Sequence, residues 1–222
     1  TPRGVSSASL FEVGVLPEVS AIQNTIETAQ LITSPVVVNG NLTTSGERHF
    51  FRVHCSEGER LVLNLKCLRF NESGQTFMNP VLRLFDSSGK RIAENHGYYD
   101  LDPLLDWKAP ATGDYFVEVR DLLGKGNPGN VYRLSIGNLT YDATAYPPIV
   151  QAGLSTKVAI SGRGGANANS LVSISGSEKI GIFNQYAGSA QAPVRHTDLK
   201  VIMKERYDKS PLALPVAITG RL

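Results

Sequence analysis

The chain has 222 residues, 41% of them hydrophobic and 19% charged, with 22 basic side chains against 20 acidic ones. That composition supports a sizeable core in one or two domains and argues against disorder. A net charge of +2 gives no reason to expect nucleic acid or an anionic membrane as partner, and no apolar run approaches the ~20 residues of a membrane-spanning helix.

The first residue is Thr1 rather than Met, which suggests a mature or trimmed form; the absence of a targeting segment does not argue for the cytoplasm. Helical periodicity is scarce. Short alternating runs bounded by Gly, Asn, Asp and Pro dominate, the pattern of an all-β fold. In chain order, strands are expected over residues 36–39, 48–54, 60–68, 81–86, 91–94, 104–108, 114–120 and 130–136. Alternation along them points Phe51, Val53, Leu63, Leu65, Leu82, Leu84, Trp107, Val117, Val119 and Leu134 to a common core.

The turns carry their own chemistry. Asp86-Ser87-Ser88-Gly89-Lys90 reads as a hairpin, because Asp and Ser bond their own backbone and Gly takes a positive φ. Ser56-Glu57-Gly58-Glu59 reads the same way, placing Cys55 opposite Arg60. On that register Cys55 and Cys67 lie about 23 Å apart along the ladder. A disulfide tolerates only ~7 Å between Cα atoms, so two small buried thiols are expected. Ala109 to Asp114 forms another turn, and 123–129 a long flexible loop. Residues 138–148, with Pro147-Pro148, look like a linker. A second set of strands is expected over 156–161, 171–175, 180–183 and 199–204, with a loose loop over 162–169.

The end of the chain repeats an earlier stretch. Pro35-Val36-Val37-Val38-Asn39-Gly40 returns, degraded, as Pro215-Val216-Ala217-Ile218-Thr219-Gly220, an offset of 215 − 35 = 180 residues. Each copy is a strand that starts after Pro and ends in a turn. A period this long signals a string of domains rather than a solenoid, with the second copy cut off after its first strand.

Four motifs then carry a resemblance. They are Gly46-Glu47-Arg48-His49-Phe50-Phe51; Leu82-Arg83-Leu84-Phe85-Asp86-Ser87-Ser88-Gly89; Asp102-Pro103-Leu104-Leu105-Asp106-Trp107 with Pro110-Ala111-Thr112-Gly113-Asp114-Tyr115-Phe116-Val117; and Val131-Tyr132-Arg133-Leu134. In order and spacing, residues 18–137 resemble the bacterial pre-peptidase C-terminal domain. The flanks from Thr1 to Gly14 and from Tyr146 to Gly162 are similar to immunoglobulin-like domains of large bacterial surface proteins. The resemblance implies an antiparallel, jelly-roll-like β-sandwich followed by a smaller immunoglobulin-like β domain. Its expected divisions are 1–16, the end strand of a preceding immunoglobulin-like domain; 17–140, the sandwich; 141–204, the immunoglobulin-like domain; and 205–222, the start of a second sandwich. Some family members bind calcium through an acidic lead. Here the lead Ser20-Ala21-Ile22-Gln23-Asn24-Thr25 has no carboxylate before Glu27, and His49 stands where the family often has Asp.

Chemistry-bearing residues are few. Asp100, Asp102 and Asp106 cluster with Glu94 and Asn95 around one loop. Glu94, Asp100 and Asp102 are the set that could hold calcium, the one cofactor these residues suggest; calcium takes six to eight oxygens. The same carboxylates could instead satisfy backbone donors at a strand entry. His49, His54, His96 and His196 read as surface or loop residues, since no spacing converges on a zinc site. No nucleophile elbow, zinc-protease helix or phosphate loop is present, so no enzyme activity is expected. Trp107 and Tyr115 share faces with core residues. Tyr98 and Tyr99, beside Asp100 and Asp102, remain as the candidate ligand contact: ring faces for stacking on a sugar, carboxylates for its hydroxyls. The expected role is non-catalytic spacing or adhesion outside the cell. The expected partners are neighbouring domains, with a glycan or surface protein as the alternative, and neither nucleic acid nor membrane insertion. A third reading is an accessory domain of a secreted protease.

Overall fold

A computed structural model describes residues 14–69, 78–165, 168–175, 179–204 and 212–220. These residues are all β, with eighteen strands and no helix among them. The expected end strand over 1–16 falls almost wholly outside the described residues. The chain divides into two compact units, Thr1–Asn138 and Leu139–Leu222.

The first unit contains β1 (Glu18–Ser20), β2 (Gln30–Ile32), β3 (Val36–Asn41), β4 (Arg48–Cys55), β5 (Arg60–Lys66), β6 (Pro80–Phe85), β7 (Arg91–Asn95), β8 (Leu104–Lys108), β9 (Gly113–Asp121) and β10 (Val131–Gly137). They form two five-stranded sheets, ordered β1-β3-β10-β5-β8 and β2-β4-β9-β6-β7. Only β1 with β3 and β2 with β4 pair in parallel.

Period-two alternation decides which side chains meet. Phe51 and Val53 on β4, Leu82 and Leu84 on β6 and Val117 and Val119 on β9 share one core with Leu63 and Leu65 on β5 and Leu134 on β10. Both sheets therefore contribute to a single core, and each of these side chains is almost completely buried. Burial of one such side chain stabilises the fold by about 1.5–3 kcal/mol. Trp107 differs: it is partly buried against the core, edge-on to Tyr115 with ring centroids 4.7 Å apart.

The expected hairpin between β4 and β5 is not there. β4 lies in one sheet and β5 in the other. Cys55 stands opposite Gly113, and Arg60 opposite Lys108. The turn after β4 thus crosses between sheets, and so does the turn from β8 to β9. The two crossings brace each other: the Gly58 N–H donates to the Ala109 carbonyl and the Ala109 N–H to the Glu59 carbonyl, both at 2.8 Å, and the Glu57 N–H reaches Thr112 Oγ1 at 2.9 Å. Cys55 and Cys67 are both buried thiols with no disulfide between them, although the register argument for that was mistaken. Burial, then the charges of Glu59 and Asp114, push the Cys55 thiol up to about 11.

The β6–β7 turn is a hairpin, with Gly89 at φ 80°. The 123–129 segment is not the loose loop its glycines suggest. The Asp121 carboxylate accepts the N–H groups of Asn79, Leu123 and Lys125 at 2.7, 2.9 and 2.9 Å, and Gly46 N–H donates to the Gly124 carbonyl.

The second unit contains β11 (Thr140–Tyr146), β12 (Ile149–Gln151), β13 (Thr156–Gly164), β14 (Asn169–Ile174), β15 (Gly181–Ala187), β16 (Ala190–Thr197), β17 (Lys200–Lys204) and β18 (Val216–Gly220). They make sheets β11-β13-β14, β12-β16-β15 and β17-β18. Its core is small: Val150, Val158, Ile160, Ile174, Ala187, Ala190, Ala192 and Val194. The expected linker is largely strand β11, and β13 extends into the expected loose loop. β16 has no counterpart among the expected strands, because its alternation uses Ala and includes Pro193. That proline lies beyond the end of β12, where β16 is paired on one side only, with Asn184 of β15. A strand tolerates a missing N–H at such a position.

Candidate functional site

The loop after β7 folds back on itself. Tyr98 and Tyr99 both donate their N–H to the Asp102 carbonyl, at 3.1 and 3.0 Å, and the Asp102 N–H returns to the Tyr99 carbonyl at 2.9 Å. Asn95 Oδ1 closes the loop at its base by accepting from Gly97 N–H and Leu104 N–H. Asp100, at the tip, takes a left-handed φ of 55°, which Asp tolerates better than most residues.

Asp102 does not face solvent. Its side chain is completely buried. Oδ1 accepts from the N–H groups of Cys67 and Leu68, at 3.0 and 2.8 Å, while Oδ2 accepts from the Arg69 N–H and Nε at 3.0 and 2.9 Å. This carboxylate is a staple for the chain leaving β5. The Arg69 guanidinium also lies 3.9 Å from the Tyr99 ring centroid, a cation–π arrangement. Tyr98 packs edge-on against Tyr99 at 4.7 Å and is 38% exposed. Of the four expected ligand contacts, Tyr98 and Asp100 are exposed, Tyr99 is partly buried and Asp102 is inside.

The expected calcium set is not gathered. Glu94 pairs with Arg83 and Arg91 on the sheet surface, Asp102 is spent on the staple, and Asp106 pairs with Arg60. Among the described residues no three His, Cys, Asp or Glu side chains form a group able to hold a metal ion.

A second polar constellation was not foreseen. An open groove of ≈ 390 Å³ is lined by Ala21, Gln23, Asn39, Gly40, Asn41, Glu47 and His49. At its floor His49 Nδ1 meets the Tyr132 hydroxyl at 2.6 Å, and Nε2 meets Glu47 Oε1 at 3.1 Å. Burial opposes ionisation of Glu47. The hydrogen bonds from Thr44, His49 and Thr43 outweigh it and hold the carboxyl down at about 2. An ionised carboxylate only accepts, so His49 carries its proton on Nε2 and Tyr132 donates to Nδ1. Burial pushes His49 below its ordinary 6.5, against the pull of Glu47. Burial, then the Glu47 charge, raises Tyr132 well above its ordinary range.

Both rings are almost fully buried and both imidazole nitrogens are engaged. The relay therefore ties β4 to β10 and offers no reactive atom to solvent. His49 and His196 thus correct the surface reading of the histidines, while His54 and His96 are exposed. The signal for His49 was its parity with Phe51, Val53 and Cys55. His196 lies edge-on to Phe183 at 4.9 Å, and its ring nitrogens have no hydrogen-bond partner among the described residues.

No family model matches the chain, and no curated protein matches it. Among solved structures it is similar to the pre-peptidase C-terminal domain of collagenase from Bacillus anthracis, at 15% identity and a TM-score of 0.40, over 51% of this chain and 98% of that one. It is also similar to PliG, a periplasmic lysozyme inhibitor of g-type lysozyme. The Aeromonas hydrophila protein matches at 12% identity and a TM-score of 0.32, over 54% of this chain and 97% of its own. The Salmonella Typhimurium protein matches at 11% identity and a TM-score of 0.27, over 54% and 97%.

Proposed function

We propose that this chain is a non-catalytic module of a multidomain extracellular or surface protein, serving spacing or adhesion. In this reading residues 17–140 form a jelly-roll-like β-sandwich and residues 141–204 an immunoglobulin-like β domain, with 205–222 opening a further sandwich. One observation carries the non-catalytic part: the well-placed carboxylates are consumed by the fold. Asp102 and Asp121 each accept three backbone N–H groups. Glu47 Oε2 accepts from the N–H and hydroxyl of both Thr43 and Thr44. A general acid or base must reach the proton it transfers, and these three are saturated from within. Labelling of intact producing cells with a membrane-impermeant amine reagent tests the location. The full-length protein is expected in the labelled fraction; its confinement to the interior sinks the reading.

A second reading, a glycan or protein contact through the 98–102 loop, is favoured by the exposure of Tyr98 beside Asp100. The variant Tyr98→Ala leaves the Asp102 staple intact, so its fold should survive. Loss of binding to a glycan array or surface protein in that variant supports the contact; equal binding by wild type and variant removes it.

A further inference from the structure

The sequence repeat at the chain's end is also a repeat of strand pairing. β3 lies parallel to β1, with Glu18, Val19 and Ser20 opposite Val37, Val38 and Asn39. β18 lies parallel to β17, with Val201, Ile202 and Met203 opposite Ala217, Ile218 and Thr219. These are the same positions of the repeated segment, displaced by 180 residues.

The two pairs differ in what covers them. The outer edge of β3 is filled by antiparallel β10, which sets Tyr132, Leu134 and Ile136 against Gly40, Val38 and Val36. Val36 and Val38 are consequently buried in the core. β18 has β17 as its one partner among the described residues. On its opposite face Thr219 is buried, but Ile218, the counterpart of core residue Val38, is 51% exposed. Among the described residues, the face left open is thus the one that faces the core in the first copy.

We propose that the open edge of β18 docks an antiparallel strand of β10 chemistry: an aromatic opposite Gly220, and large aliphatic residues opposite Ile218 and Val216. This deepens the reading of 205–222 as the opening of a further sandwich and rests on it. The glycine is the specific element. In the first copy a Cβ on Gly40 would lie 2.2 Å from Tyr132 Cζ, so only glycine lets the partner ring cross the strand there. The segment repeats that glycine at the same position.

Hydrogen-bond parity fixes the atoms involved. In β3 the odd residues bond β1, as in Ala21 N–H to the Asn39 carbonyl, and the even register bonds β10, as in Leu42 N–H to the Asn130 carbonyl. By that pattern Val216, Ile218 and Gly220 present their N–H and C=O to the open edge. Strand addition to such an edge is an established recognition mode, main-chain bonds giving affinity and alternate side chains specificity.

The test appends to the full chain a linker of about five flexible residues followed by the 130–137 sequence, which raises the effective concentration of the strand. Hydrogen–deuterium exchange is then read residue by residue against a fusion carrying the same residues scrambled. The native-order strand is expected to slow exchange at Ile218 and Gly220 by about tenfold or more, and Ile218→Asp or Gly220→Val to abolish the slowing. Three results overturn the proposal: equal exchange in the native-order and scrambled fusions, protection that survives Ile218→Asp, or protection that falls on β7 or β8 instead. Cell-surface labelling does not depend on this edge, so failure here is separable from failure of the extracellular reading.

Discussion

At the scale of single residues, buried polar groups bind segments far apart in sequence. Asp102 is the clearest. Asp102→Ala would leave the Cys67, Leu68 and Arg69 N–H groups without their acceptor, and buried donors left unmade are costly. Arg69 would retain Asn64 Oδ1 and the Leu65 carbonyl, at 2.8 and 3.0 Å, so no naked charge is created. A loss of about 3 kcal/mol is expected, measured by urea unfolding; a loss within error of zero would show that the staple is redundant. The Glu47–His49–Tyr132 relay predicts an acid response with a defined sign. His49 titrates near 6.5 when unfolded and lower when folded, so the unfolded chain binds the extra proton first and stability falls as pH drops below 6.5. Glu47 moves from 4.5 to about 2 on folding. Its contribution is complete above 4.5 and is lost as pH falls towards 2. The two add in the same direction. His49→Gln removes the upper stage, so its stability between pH 7 and 5 should change less than that of the wild type. Identical slopes would mean that His49 is not desolvated in solution.

At the scale of strands, the sequence was legible where information is local. Alternation placed the core of β4, β5, β6, β9 and β10, and the Asp86–Lys90 turn chemistry marked a true hairpin. It was not legible where pairing is a choice between distant partners. Four turn residues after β4 can return a strand to its own sheet or carry it to the facing one. The difference lies in contacts with Ala109 and Thr112, fifty or more residues away. Asp102 was legible as a backbone-satisfying carboxylate, but the donors it accepts from lie on β5's exit and could not be named. The Gly40–Tyr132 crossing is likewise hidden, since nothing near Gly40 announces a ring from β10. It makes a sharp prediction. Gly40→Val forces the Tyr132 ring aside and breaks its hydrogen bond to His49, at an expected cost of about 3 kcal/mol. In Tyr132→Ala the same valine meets no ring. The double variant should therefore be more stable than the two single losses added together, by about 1 kcal/mol or more in a thermodynamic cycle. Strict additivity would show that the ring and the strand do not compete for that space.

At the scale of the whole molecule, two cores of unequal size predict two unfolding events. The first unit's core takes in Phe51, Tyr115, Tyr132 and a run of fully buried leucines. The second relies on Ala187, Ala190 and Ala192 with a handful of Val and Ile, and it buries His196 with neither ring nitrogen bonded among the described residues. Apolar burial contributes about 25 cal/mol per Å², so small side chains supply less of it for each ordered residue. An unsatisfied buried polar group subtracts further. The second unit should melt first. Calorimetry of the full chain is expected to show two transitions, and a variant should move only the transition of the unit that contains it. Asp102→Ala should lower the upper transition and leave the lower in place. His196→Phe exchanges an imidazole with no hydrogen-bond partner among the described residues for an apolar ring of similar size, and should raise the lower transition or leave it unchanged. A single transition displaced by both variants would mean that the two cores unfold as one cooperative body, and the division at Asn138 would then carry no thermodynamic meaning.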